Sequence, residues 1–90
     1  MDPEIFPFLA SDDYEAFRRI LGAHLPDAYD KWLQLHTHDV TEHRRAGRVV
    51  REIKIDPHEF ADFLHARGYV ANLKTLREFT FEKAFRDPNI

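Results

Sequence analysis

The stretch Arg48-Val-Val-Arg-Glu-Ile-Lys-Ile55 is the one place in this chain where the side-chain pattern switches from a helical period to a period of two. Val49, Ile53 and Ile55 share one parity, while Arg48, Val50, Glu52 and Lys54 share the other, as in a strand whose successive side chains point to opposite faces. A strand cannot stand alone, because each backbone N–H or C=O buried without a partner costs about 1 to 3 kcal/mol. Two partners are open. One is the arm around Ile5 to Leu9, which Pro3 and Pro7 confine to an edge position. The other is the same strand of a second molecule, paired antiparallel about a two-fold axis.

The flanks read as helices. Asp56-Pro57-His58-Glu59 stops the strand and starts a helix, with Asp56 as cap, Pro57 in the first turn and Glu59 completing a capping box. Phe60, Phe63 and Leu64 form its apolar stripe, and Gly68 closes it. Asn72 then caps a last helix that runs until Pro88, with Leu73, Leu76 and Phe79 on one face and Phe81 and Phe85 nearly opposite, which predicts burial on two sides. Upstream, Asp12 and Glu15 approximate a capping box before Tyr14, Phe17, Ile20 and Leu21, until Gly22 and Pro26 interrupt. From Asp27, the positions Tyr29, Trp32, Leu33, His36, Val40 and His43 make the longest stripe, which Gly47 ends. The expected fold class is α+β, mostly α: about four helices with one principal short strand between the second and third. Residues 1–90 form one small domain, 1–10 being an extended arm and 48–86 a strand-helix-helix unit.

Ninety residues enclose only one apolar core, and eight Phe, three Tyr and one Trp supply bulky material for it. A composition of 43% hydrophobic and 32% charged residues excludes global disorder. No window spans a bilayer and the acidic start lacks a signal peptide's basic region, so the chain reads as soluble and cytoplasmic, without a membrane partner. The absence of cysteine excludes disulfides, thiolate catalysis and Cys-based metal sites, in keeping with a reducing compartment. The net charge of −3 hides an asymmetry: residues 1–43 carry −6 and residues 44–90 carry +3. Arg44, Arg45, Arg48, Arg51 and Lys54 crowd together with Glu52 as the one acid among them. Such a cluster attracts phosphate or an acidic partner, and its first members also suit a helix C-terminus.

The six histidines invite a metal reading. His36, Asp39 and His43 share one helix face, His38 and Glu42 another, and His58, Asp62 and His65 a third, but none matches a strong motif. His36 and His43 fall on the apolar stripe and are expected to pack beside Trp32 and Val40. The lone serine, Ser11, suits a helix start, and the three glycines sit near helix ends and form no phosphate-cradling loop. No carboxylate pair has a spacing specific to acid–base work. No catalytic, cofactor-binding or metal residue is therefore assigned.

In its order of strand, capped proline, helix, Gly-containing turn and Asn-capped helix, the segment from Arg48 through Asp56-Pro57, Gly68 and Asn72 to Leu76 resembles the ribbon-helix-helix repressors and antitoxins. The resemblance implies an antiparallel two-chain ribbon in the major groove, with Val50, Glu52 and Lys54, joined by Arg48, facing base edges and the amides near Asn72, Leu73 and Lys74 receiving a phosphate. The residues themselves favour a non-catalytic interaction or regulatory module that binds another macromolecule as a homodimer, with a DNA-binding regulator as the alternative. Arg48, Arg51 and Lys54 are the expected contacts to an acidic partner or nucleic acid. Val49, Ile53, Phe81 and Phe85 are the expected self-association residues.

Overall fold

The computed structural model describes residues 2–86. It is an α+β arrangement, mostly α, in the order β1 (Glu4–Phe8), α1 (Tyr14–Leu21), α2 (Tyr29–Arg45), β2 (Val50–Lys54), α3 (Pro57–Arg67) and α4 (Leu73–Arg86). Short 3₁₀ turns at Ser11–Asp13 and Gly22–His24 flank α1. Pro88, expected to stop the last helix, lies outside the described residues.

The arm is the strand's partner. β1 runs parallel to β2 in the register Glu4↔Val50 to Phe8↔Lys54, so two strands form where the side-chain pattern marked only one. Glu4 N–H donates to the Val49 carbonyl and Ile55 N–H to the Phe8 carbonyl at the two ends of the ladder. The alternation places Ile53 and Ile55 inside, with Ile5, against Phe17, Phe60, Leu76 and Phe79. On the opposite face, Phe6 and Phe8 meet α2, where Phe8 stands edge-on to Trp32 at 5.9 Å and Phe6 edge-on to His43 at 5.0 Å. One buried apolar cluster therefore draws on residues from Ile5 to Ala84.

The helix ends follow their cap chemistry. Asp56 accepts the N–H groups of His58 at 2.7 Å and Glu59 at 3.1 Å, satisfying two orphan donors of α3. Glu59 does not reach back to complete a box; its carboxylate takes Lys83 at 2.8 Å. Asn72 and Thr75 cap α4 reciprocally, Thr75 N–H donating to Asn72 Oδ1 at 2.9 Å and Asn72 N–H to Thr75 Oγ1 at 3.0 Å. Gly47 and Gly68 adopt positive φ, and the donor pair that follows each helix folds back in a Schellman motif: Arg48 N–H to His43 O, and Tyr69 N–H to Leu64 O. The expected box at Asp12 and Glu15 is replaced by the 3₁₀ turn, which leads into α1 without a side-chain cap.

Two tyrosines pin the connection between α1 and α2. Tyr14 donates to the Pro26 carbonyl at 2.6 Å and Tyr29 to the Leu9 carbonyl at 2.9 Å. Burial pushes both phenols above their ordinary pKa. The last helix differs from its expected two-sided burial. Thr75, Leu76, Phe79, Thr80 and Ala84 are buried, but Leu73 lies with Phe81 and Phe85 on an exposed face, because α3 and the sheet cover one side only. No helix among the described residues is long and apolar enough to cross a membrane.

Candidate functional site

The exposed side of α4 faces α2 across a groove floored by β1. Its volume is about 580 Å³, and its α2 wall consists of Trp32, Leu35, His36, Asp39 and His43, the spacing of one helical face. Leu73, Arg77 and Phe81 form the α4 wall, with Phe6 rising from β1 between them. Leu35 is 53% exposed, Leu73 51% and Phe81 42%, and Phe85, 5.6 Å from Phe81 between ring centroids, is 64% exposed. Large apolar side chains this open, gathered along one groove, are what a partner would bury.

The floor is rigid. His36 is buried, stacks on Trp32 at 4.7 Å with rings 15° from parallel, and donates from Nε2 to Glu52 Oε1 at 2.7 Å. Arg44 Nη2 stands 3.8 Å from the other Glu52 oxygen, so one carboxylate ties the middle and the end of α2 to β2. His43 donates from Nδ1 to the Asp39 carbonyl at 2.8 Å. His36 thus packs on Trp32 as its spacing predicts, against an anion that the stripe could not reveal, while His43 is half-buried and its ring meets Phe6. Among the described residues, no three His, Asp or Glu side chains converge as a metal site.

The groove's charges are sparse and matched. Asp39 on one wall and Arg77 on the other have no ion-pair partner among the described residues. A second cleft of about 520 Å³ between α3 and α4 holds two ion pairs: Arg67 binds Glu82 at 2.6 Å and covers the Phe63 ring at 4.7 Å, and Lys83 binds Glu59 at 2.8 Å.

The residues singled out from sequence separate into three settings. Arg48, Arg51 and Lys54 stay together along β2 and its approach. Arg48 is bound to Glu4 at 3.5 Å and Arg51 has a contact of its own within the chain, whereas Lys54 is exposed and has no ion pair among the described residues. Of the expected self-association residues, Phe81 and Phe85 are at the surface as required. Val49 is 59% exposed, but its carbonyl already serves β1. Ile53 is 5% exposed and corrects the expectation outright: its parity is the core parity, and the core claims it. Leu35 and Arg77 were not singled out from sequence, and Asp39 and Leu73 only for other settings, because each gains its place in the groove only when α2 and α4 stand across from one another.

Comparison with family models, curated proteins and solved structures found no match for this chain.

Proposed function

We propose that this protein is a small non-catalytic interaction module that works as a homodimer, with the groove between α2 and α4 as the face covered by the second copy. The observation that carries this reading is the exposed apolar row Leu35, Leu73 and Phe81 along that groove, with the exposed Phe85 ring beside Phe81. A two-fold contact requires a surface complementary to itself, residue i meeting residue j and j meeting i. The groove has that character. A carboxylate on α2 and a guanidinium on α4 let Asp39 of each copy meet Arg77 of the other while Phe81 and Phe85 enter the opposing apolar wall. The aromatic pair supplies the anchors, and aromatic anchors dominate such contacts.

Sedimentation equilibrium across a concentration series tests the reading. The expected result is a dimer, with Phe81→Asp monomeric at the same concentrations and unchanged in helical content. A protein that remains monomeric at high micromolar concentration would overturn it.

A further inference from the structure

The α2 wall of the groove carries a titratable group that a second copy encloses. His43 is half-buried there, its ring edge-on to Phe6 at 5.0 Å. Its Nδ1 lies 2.8 Å from the Asp39 carbonyl, an oxygen that can only accept. Nδ1 therefore carries the proton of the neutral ring, and Nε2 is the atom that takes up a second one. One helical turn back, the Asp39 carboxylate has no ion pair among the described residues. The other acids near the ring are engaged within the chain. From β1, Glu4 holds Arg48 at 3.5 Å, and from β2, Glu52 holds His36 at 2.7 Å with Arg44 at 3.8 Å. In the α4 wall, Arg77 is the one charged lining residue among the described residues.

We propose that His43 is a proton-operated release for the dimer face: uptake of a proton at Nε2 loosens the contact, so that mild acid separates the two copies. This rests on the dimer reading of the groove and adds its regulation. Two effects of covering the groove act in one direction. A second copy removes water from a half-buried ring, and loss of water disfavours the imidazolium. It also brings the second copy's Arg77 to Asp39, which takes away the free carboxylate nearest His43 and sets a fixed cation close by. The covered state therefore holds fewer protons than the separated copies, and by linkage association weakens as pH falls through the imidazole range. Glu4 and Glu52 leave this sign unchanged, because the side chains that hold them belong to the same chain and stay in both states. His36 is 8% exposed with Nε2 on Glu52, so covering the groove alters little around it. His38 is exposed and outside the groove lining.

The test is sedimentation equilibrium of the full chain at about pH 7.5 and about pH 5.5, on either side of the imidazole range, at constant ionic strength. The dimer dissociation constant should rise about tenfold at the lower pH, with one imidazole in each copy contributing. His43→Asn keeps a side-chain donor for the Asp39 carbonyl and cannot titrate, so its change should stay below about twofold. His38→Asn, on the same helix outside the groove, should respond as the parent does. If His43→Asn fails to fold, as a thermal melt would show, ring-proton NMR of the parent carries the comparison: the midpoint of the His43 titration should fall as protein concentration rises and the dimer fills. A dissociation constant that is smaller at the lower pH, or unchanged within about twofold, overturns this inference and leaves the dimer face standing. So does a full response in His43→Asn, which assigns the proton to another group. A protein monomeric at high micromolar concentration at both pH values overturns the dimer face and this inference with it.

Discussion

Asp56 shows how much one side chain decides. The Glu59 N–H, opposed by slight desolvation and assisted by the His58 N–H, holds its carboxyl below the ordinary value of 3.8. A carboxylate whose folded pKa is depressed contributes stability above its unfolded pKa and loses that contribution as pH falls through the lower folded value. Asp56→Ala should therefore cost about 1 kcal/mol near neutral pH. In thermal melts, the gap between variant and parent should narrow as pH drops below 3.8. His36 works over a longer range. Replacing it by Phe preserves the stack on Trp32 but removes the donor to Glu52, and Glu52→Gln removes the charge. A double-mutant cycle on these two changes should give a coupling of about 1 kcal/mol, at the low end for a contacting pair because Glu52 is 34% exposed.

At the scale of elements, the chain announces what is local. Asp56 and Gly68 bracket α3 as their types demand, Asn72 opens α4, and the parity of Ile53 and Ile55 marks the inward side of β2. The arm was one of two partners left open, because Pro3 and Pro7 weaken its strand pattern and the ladder that makes it a strand comes from residues far along the chain. The two-sided reading of α4 failed for a related reason. Its apolar residues surround the helix, but a chain this small supplies α3 and the sheet on one side only, so Leu73, Phe81 and Phe85 stay outside. Of the groove, the histidine stripe was legible. Its facing partners were not, since no single element contains both Asp39 and Arg77.

For the whole molecule, the exposed apolar row is a thermodynamic statement about concentration. If a second copy covers it, folding and association are linked, and the melting temperature should climb with protein concentration by mass action. Phe81→Asp should flatten that dependence in a calorimetric series.

The parallel pairing of β1 with β2 also governs the order of events during synthesis. The first strand leaves the ribosome with nothing to pair with, and its ladder can close only after α1 and α2 have been made and Val50 to Lys54 has emerged. Helical turns can form as they appear, but the sheet waits for a contact between distant parts of the chain, the kind of closure that slows folding. Until then Ile5, Phe6, Phe8 and Leu9 lack the cover that the core and α2 give them in the folded chain.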